Sequence, residues 1–277
     1  MVKPRPSPYP SPPTGLRGWV FDLHFAIAFL TRLPLPPLPR MADGALARVM
    51  RLFPVAGAGI GLFGAAVYAL ALWARMTPWL AALLAVAAMV RATGGLHEDG
   101  LADTADGFGA GGTRARRMEI MRDSRIGTYG VLALIFSVTL RAGAIAAIAE
   151  PHAVMLALVV TGALSRAAMP LAMRMMAPAR NDGLGAAAAR LDDEEAFAAT
   201  VIAVASALVL TVVVFPPGPA VVSILAMLGA TVAVSLSARA HIGGYTGDVL
   251  GAAGQAVEAA VLLALAAAGA AQGAVSS

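Results

Sequence analysis

The sequence predicts an all-α protein, a polytopic integral membrane helix bundle with about seven transmembrane helices and an N-terminal re-entrant or interfacial helix. Three observations support this fold class. Hydrophobic residues make up 59% of the 277 residues, charged residues make up only 13%, and the mean hydropathy is +0.77. In addition, several apolar runs approach the roughly 20 residues needed to cross a hydrocarbon core. A soluble domain cannot bury so much apolar surface, so a bilayer is the expected solvent.

The N-terminal region is predicted to have two parts. Residues 1–18 are expected to form a disordered, Pro-rich cytoplasmic tail, because closely spaced prolines prevent a helix. The apolar stretch from Trp19 to Pro39 carries Asp22 and Arg32 and ends in prolines. It is too short for a full span, so a re-entrant or interfacial helix is expected there. Residues 19–277 are predicted to form a single membrane-embedded domain.

Seven apolar segments follow this first helix and account for the transmembrane spans. They are predicted at Phe53–Trp73, Pro78–Ala92, Tyr129–Ala149, Ala153–Met176, Ala196–Phe215, Ala220–Ala238 and Val249–Ala268. Arg141, Arg166 and Glu258 lie inside these spans, where an unpaired charge is costly, so each is expected to face the bundle interior or a polar cavity. Pairing between helices and a role in chemistry both account for them.

The distribution of arginines orients the bundle, because Lys and Arg resist translocation across the inner membrane of bacteria. They collect in alternate joints, before the first span, after the second and after the fourth: Arg40, Arg48, Arg51, Arg114, Arg116, Arg117, Arg122, Arg125, Arg174, Arg180 and Arg190. These joints are therefore predicted to face the cytoplasm. Since the cations are scattered beside apolar runs, they indicate topology and predict no nucleic-acid partner.

An acidic segment after the second span carries the predicted chemistry. In LHEDGLADTADGF the carboxylates Asp99, Asp103 and Asp106 have the spacing i, i+4 and i+7, so on a helix they share one face within about 60°. Three like charges repel unless a cation lies among them. The chain has no cysteine, and oxygen ligands favour Mg²⁺ or Mn²⁺. Mg²⁺ typically joins one or two carboxylates to substrate phosphates, so a cytoplasmic metal-binding loop, residues 94–128, is predicted to perform phosphoryl-transfer chemistry.

Other polar residues are candidates for the same site. Arg122 and Arg125 are expected to bind phosphate oxygens through their planar guanidinium groups, and Asp123 between them is either a further metal ligand or orients an arginine. Thr246 and Asp248 lie in a second polar joint, GGYTGDV, on the same predicted side and are expected to contact substrate phosphates or metal. His97, beside the aspartates, is a candidate acid, base or phosphate ligand. The plain alternative is an acidic, solvated loop that caps a membrane helix.

Two motifs carry a resemblance to a known family. TGGLHEDGLADTADGF, followed by RMEIMRDSRIGTYGVLAL, resembles the cobalamin synthases, the membrane-bound adenosylcobinamide-GDP ribazoletransferases. FLTRLPLP, FPVAGAGIG and GGYTGDVLGA are similar to further family segments in the same order, so the resemblance extends from about Phe21 to the end. The residues before Leu16 have no recognised counterpart, and ARNDGLGAAAAR matches only through its central glycines.

The resemblance implies a reaction and a set of roles. α-Ribazole, or its 5'-phosphate, is joined to adenosylcobinamide-GDP to give adenosylcobalamin, or its 5'-phosphate, with release of GMP. Mg²⁺ is the implied cofactor, and the implied metal ligands are Asp99, Asp103 and Asp106, with Asp123 as a further candidate. Arg122 and Arg125 are implied to neutralise charge on the pyrophosphate. The proton acceptor stays open among Asp106, another carboxylate such as Asp103, and His97.

Alternative functions remain at this point. A CDP-alcohol phosphotransferase also uses several aspartates on membrane helices, but its motif has Ala-Arg after the first Asp-Gly pair, whereas Asp99-Gly100 leads through Leu101-Ala102 to Asp103. A prenyltransferase is expected to have two aspartate-rich motifs. A transporter is expected to have inverted repeats, and none is evident in the sequence. A homo-oligomer is neither predicted nor excluded.

Overall fold

A computed structural model describes residues 13–37, 45–180 and 193–275 of the chain. In these ranges the secondary structure is helical, and the only paired extended residues are Pro178 and Tyr245. The helices are α1 (Gly15–Leu30), α2 (Ala45–Val49), a 3-10 turn (Met50–Leu52), α3 (Phe53–Trp73), α4 (Pro78–Thr93), α5 (Leu96–Gly109), α6 (Arg114–Ile120), α7 (Thr128–Ile148), α8 (Pro151–Met175), α9 (Asp193–Val214), α10 (Pro217–Ile242) and α11 (Gly247–Val275). The predicted all-α membrane fold is confirmed.

The described residues contain six segments long and apolar enough to cross a membrane. They are Leu46–Trp73, Thr128–Ile148, Pro151–Met175, Glu194–Val214, Pro217–Ile242 and Gly247–Gly269. The remaining predicted span corresponds to α4, which has 16 residues and is followed by α5 after a bend of 92°. Gly94 and Gly95 make this bend with φ of 67° and 71°, a region that favours glycine. Because α5 carries four acidic residues, we take α4 as a short seventh span and α5 as a helix outside the membrane-spanning segments.

The N-terminal helix α1 starts earlier than predicted. Gly15–Gly18, which we expected to belong to the disordered tail of residues 1–18, form the first turn of α1, because the prolines that prevent a helix end at Pro13. The earlier part of that tail, residues 1–12, lies outside the described residues, as do Arg40 and Arg190. α1 has 16 residues and is not among the segments long enough to span a membrane, in agreement with a re-entrant or interfacial helix.

A buried carboxylate ties α1 to the start of α3. Asp22 is fully buried and accepts hydrogen bonds from Arg48 at 2.5 Å and from Arg51 at 2.6 Å. Two guanidinium groups thus compensate the buried charge. A second contact fixes the C-terminal end of α1, where Phe29 stacks on Phe53 of α3 with ring centroids 5.8 Å apart.

Helices α8 and α11 form the interior of the bundle, because 78% and 67% of the residues in their most apolar stretches are buried. Gly57 of α3 and Gly162 of α8 face each other so closely that a side chain on either would overlap the backbone of the other. Small residues at such contacts let membrane helices approach closely. The Gly57–Gly162 contact therefore brings α3 into close packing with the inner helix α8.

Four buried charges form one network across the bundle. Arg141 of α7 donates to Glu258 of α11 at 2.7 Å and to Glu98 of α5 at 3.1 Å, and Arg166 of α8 also donates to Glu258. Gln255 donates to Glu98 at 3.0 Å. The expectation that the two arginines face the interior is confirmed. Because two arginines balance two glutamates, the network is neutral, and it attaches α5 to the membrane bundle.

Candidate active site

Helix α5 carries all three aspartates of the acidic motif, as the spacing predicted. Their environments differ along the helix: Asp99 is exposed, Asp103 is half-buried and Asp106 is 8% exposed. The opposite face of α5, which includes His97 and Glu98, is buried against the bundle. Asp99 and Asp103 therefore lie on the outer face of a helix whose inner face is held by the charge network, whereas Asp106 is covered.

The start of α11 packs against the N-terminal part of α5. A Cβ atom added to Gly100 would be 2.7 Å from the carbonyl oxygen of Asp248. Thr246 donates to the Asp248 carboxylate at 3.1 Å and accepts from the amide of Val249 at 3.3 Å, which fixes the first turn of α11. The structure thus brings the second polar joint against the acidic helix, and Asp248 lies near Asp99 and Asp103.

The neighbouring carboxylates affect one another electrostatically. Partial burial, followed by the charges of Asp99, Asp248 and Asp106, raises the pKa of Asp103 to about 7. A cation at this point would relieve the repulsion. Among the residues that the structure describes, however, no group of three His, Asp or Glu side chains is close enough to hold a metal ion. A metal here requires ligands from a substrate or a small movement of side chains.

Asp106 contacts the N-terminus of α7. Its Oδ2 accepts from the amide of Gly127 at 2.7 Å and its Oδ1 accepts from the amide of Gly130 at 2.8 Å. A Cβ atom on Gly127 would be 2.5 Å from the Asp106 carboxylate, so the glycines of IGTYG make room for it. A carboxylate at this place accepts hydrogen bonds from amides that have no partner within the helix, and the positive end of the helix dipole stabilises its charge.

Asp123 and Arg125 form a pair on the surface. The guanidinium of Arg125 donates to Oδ1 of Asp123 at 3.1 Å and to Oδ2 at 2.7 Å, and these hydrogen bonds lower the pKa of Asp123 to about 2. Both side chains are exposed, as is Arg122. The pair borders a cavity of about 290 Å³ that also contacts Asp106. With a rise of about 1.5 Å per residue, Asp106 lies about 10 Å from Asp99 along α5, so this part of the predicted site is at the other end of the helix from Asp99.

A second cavity, of about 220 Å³, lies at the Asp99 end of α5 and is called here the His97 cavity. It is lined by Phe29, Leu30, Leu46, Met50, Phe53, Leu96, His97, Asp99, Met169, Arg180, Gly247, Asp248, Leu250 and Gly251. His97 is 2% exposed, and neither ring nitrogen has a hydrogen-bond partner among the described residues. Burial, followed by the charges of Arg166 and Arg141, lowers the pKa of His97 to about 3, which keeps the ring neutral.

Sequence reasoning missed two charged residues of this region. Arg180 lies 3.9 Å from the Asp248 carboxylate and was counted only as a topology signal. Glu98 was given no role, although it is the acceptor for Arg141. A usable signal was available for Glu98, because an arginine inside a span needs an acidic partner and Glu98 directly adjoins the acidic motif.

Comparisons with known proteins agree with one another. A family model described as Cobalamin-5-phosphate synthase matches residues 22–266. An adenosylcobinamide-GDP ribazoletransferase of Bradyrhizobium diazoefficiens is 47% identical, covering 91% of this chain and 95% of that protein. Proteins of the same name from Rhizobium etli strain CIAT 652 and Sinorhizobium medicae are 44% and 45% identical, each covering 91% of this chain and 98% of the relative. No solved structure gives a significant match.

Proposed function

Since this chain belongs to the Cobalamin-5-phosphate synthase family, we propose that it is an adenosylcobinamide-GDP ribazoletransferase. The resemblance carried by the acidic motif is thereby confirmed. A hydroxyl of α-ribazole, or of its 5'-phosphate, attacks the phosphorus next to cobinamide. The pyrophosphate bond then breaks and GMP leaves, so that the product is adenosylcobalamin or its 5'-phosphate.

The observation that carries the proposal is the contact of α5 with α11. Asp99 and Asp248 both line the His97 cavity, and Asp103 is near enough to them for their charges to raise its pKa. A pyrophosphate bound here would have carboxylates on one side and the guanidinium of Arg180 close by. Such an arrangement suits charge that develops on phosphoryl oxygens during transfer.

We propose Mg²⁺ as the cofactor, held by Asp99, Asp103 and Asp248. The donor set fits, because these are hard oxygen ligands whose repulsion needs a cation, and because Mg²⁺ usually takes further ligands from substrate phosphates and water. When bound, the ion would neutralise the pyrophosphate and stabilise the leaving phosphate. Asp106 and Asp123 have other partners in the structure, so we assign Asp106 to positioning of α7 and Asp123 to orienting Arg125.

Arginines are proposed to bind the phosphates at two places along α5. Arg180 is near Asp248 at one end, whereas Arg122 and Arg125 lie in the α6–α7 joint at the other. The planar guanidinium fork matches phosphate oxygens with two parallel hydrogen bonds. A substrate as long as adenosylcobinamide-GDP can contact both ends, because they are separated by about 10 Å along the helix.

The hydroxyl proton is proposed to move in two stages. The acceptor hydroxyl first donates a hydrogen bond to His97, whose ring nitrogens have no other partner among the described residues. The imidazole is a poor final acceptor, because burial and the nearby arginines disfavour its charged form. We therefore propose that the proton finally passes to water at the border of the cavity, since Asp103 would hold the metal ion and Asp106 already accepts two amide hydrogens.

The decisive test is GMP release by the purified protein in detergent, given adenosylcobinamide-GDP, α-ribazole and Mg²⁺. Asp103→Asn is expected to reduce the rate by about 100-fold or more, a usual loss for a group that stabilises transition-state charge. Glu119→Gln is the matched control, because Glu119 is an exposed acid paired with Arg116 on α6. EDTA should stop GMP release and excess Mg²⁺ should restore it.

Three results would contradict parts of the proposal. Turnover of CDP-linked lipids without GMP release would favour the CDP-alcohol phosphotransferase alternative. Full activity of Asp103→Asn would remove the α5–α11 contact from the chemistry, and full activity after metal removal would remove Mg²⁺.

We also propose that the chain lies in the bacterial plasma membrane with α5 and α6 on the cytoplasmic side. Arginines near the start of α3 and along α6 support this orientation. The chain has no cysteine, so a single introduced one reports its own accessibility. In intact spheroplasts a membrane-impermeant maleimide should label Met76→Cys in the α3–α4 joint and should not label Ser124→Cys in the α6–α7 joint. The reverse pattern would invert the topology.

A further inference from the structure

The His97 cavity has one polar side and one apolar side. Its polar side consists of His97, Asp99, Arg180 and Asp248. Its apolar side comes mainly from the N-terminal elements: Phe29 and Leu30 of α1, Leu46 of α2, Met50 of the 3-10 turn and Phe53 of α3. The metal chemistry proposed above uses only the polar side, so the apolar side has no role in it.

The size of the cavity limits what it can hold. Its volume of about 220 Å³ is below the roughly 300–1,000 Å³ typical of sites for drug-sized ligands. A corrin ring is far too large for it. A bicyclic aromatic base is of suitable size, and flat aromatic groups gain from packing on aromatic side chains. Phe29 and Phe53, whose rings stack at 5.8 Å, both border the cavity.

His97 supplies independent support for a ligand here. A buried polar group without a partner is costly and is seldom left so in a native protein. Both ring nitrogens of His97 are buried and lack partners among the described residues, and His97 lines the cavity. A ligand that carries a hydroxyl group beside an apolar ring would satisfy both sides of the cavity. Its hydroxyl group would form a hydrogen bond with His97, and its ring would fill the apolar side.

We propose that the His97 cavity binds the acceptor nucleoside, with its aromatic base against Phe29, Met50 and Phe53 and its ribose hydroxyl directed to His97. This assignment rests on the proposed function. It places the hydroxyl near Asp99 and Asp248, at the border where the pyrophosphate is expected to bind. The nucleophile and the phosphorus would then approach each other from the cavity and from the outer face of α5.

The apolar wall also predicts which base is accepted. A benzimidazole presents carbon atoms around most of its edge. The guanine of the nucleotide substrate, and adenine, present amino groups and ring nitrogens that would be left without hydrogen bonds against Phe29, Leu30 and Phe53. The cavity is therefore expected to bind α-ribazole in preference to a nucleoside of the same α configuration that carries adenine, by about tenfold or more.

Direct binding tests this assignment apart from turnover. α-Ribazole is titrated against the detergent-solubilised protein in EDTA, without adenosylcobinamide-GDP. Phe29→Ala is expected to weaken binding by about tenfold and Phe29→Leu by less. Phe25→Ala is the matched control, because Phe25 is also a partly buried ring of α1 but faces Phe21 and does not border the cavity. With all substrates present, Phe29→Leu should raise the KM for α-ribazole and leave the KM for adenosylcobinamide-GDP unchanged.

The possible outcomes distinguish failure of the cavity assignment from failure of the proposed ribazoletransferase function. If wild type binds α-ribazole and Phe29→Leu weakens it, the cavity assignment stands even when GMP release fails. If wild type turns over but Phe29→Leu, folded as judged by its size-exclusion profile, leaves both binding and KM unchanged, the assignment is overturned. It is also overturned if GMP competes with α-ribazole for the free protein, because guanine would then be the base that the cavity holds.

Discussion

Gly100 of α5 is in backbone contact with Asp248 of α11, and this contact joins the two acidic segments of the site. A Cβ atom at Gly100 would be 2.7 Å from the Asp248 carbonyl oxygen and 3.0 Å from its Cα atom. Gly100→Ala should therefore push the start of α11 away from α5. Since such overpacking costs about 1–3 kcal/mol and displaces Asp248, we expect GMP release to fall by about tenfold or more.

Gly229→Ala is the control for this substitution. Gly229 is in α10, and a Cβ atom there would meet nothing within 4 Å. It should leave activity unchanged and leave the thermal unfolding temperature unchanged or slightly raised. If Gly100→Ala is as active as Gly229→Ala, the close approach of α5 and α11 is not required for the reaction.

Asp106 is predicted to act through α7. Asp106→Asn replaces an acceptor of two amide hydrogens by a group whose NH₂ faces one of those amides, so we expect a loss of about 1–2 kcal/mol of stability. GMP release should fall only partly, because the α6–α7 joint with Arg125 shifts. Glu150→Gln is a matched control, since Glu150 accepts from the amides of His152 and Ala153 at the start of α8. It should affect stability more than activity.

Thermal unfolding and GMP release, measured on the same samples, decide the role of Asp106. An unchanged unfolding temperature together with complete loss of activity would instead support Asp106 as a metal ligand or as the proton acceptor.

Hydropathy and local sequence were sufficient to predict most of the fold. The ends of the second span could be predicted because Pro78 can start a helix and Gly94 can end one in the left-handed conformation. The clustering of Asp99, Asp103 and Asp106 on one face of α5 could be predicted because helical periodicity alone fixes it.

Long-range contacts were not predictable in the same way. Asp106 has a different role from the other two aspartates because its carboxylate accepts hydrogen bonds from amides 21 and 24 residues further along the chain. Arg180 reaches Asp248 only when α8 and α11 pack together. No local pattern distinguishes an arginine that marks topology from one that approaches the site, so the role of Arg180 needed the tertiary structure.

Asp103 is predicted to destabilise the protein when no metal is bound. Its pKa in the folded state, about 7, exceeds the value of an unfolded chain, so the folded state binds the additional proton between these two values. The stability of metal-free protein should therefore fall as the pH rises from 5 to 8. Asp103→Asn removes the repulsion and should raise the unfolding temperature in EDTA at pH 8 by about 2 °C, a modest value because the side chain is partly screened by solvent.

Asp123→Asn is the control for this prediction. The pKa of Asp123 is lowered by Arg125, so its removal deletes a favourable surface pair and should not raise the unfolding temperature. Thermal scans in EDTA at pH 5 and pH 8 check both variants. A metal-free wild type whose stability is the same at both pH values would show that the carboxylates on α5 and α11 do not repel one another.

Glu258 is predicted to be a structural residue whose removal affects the whole bundle. It accepts from both Arg141 and Arg166 and is 1% exposed, so Glu258→Ala would leave two buried guanidinium groups with a single glutamate, Glu98. Breaking a buried ion pair by removing one partner costs about 3–5 kcal/mol. The double variant Glu258→Gln with Arg166→Gln restores the charge balance and should unfold at a higher temperature than Glu258→Ala. A different result would indicate that these charges line a transport pathway. In that case both variants would unfold at the temperature of wild type, wild-type protein in proteoliposomes would take up a solute, and the two variants would not.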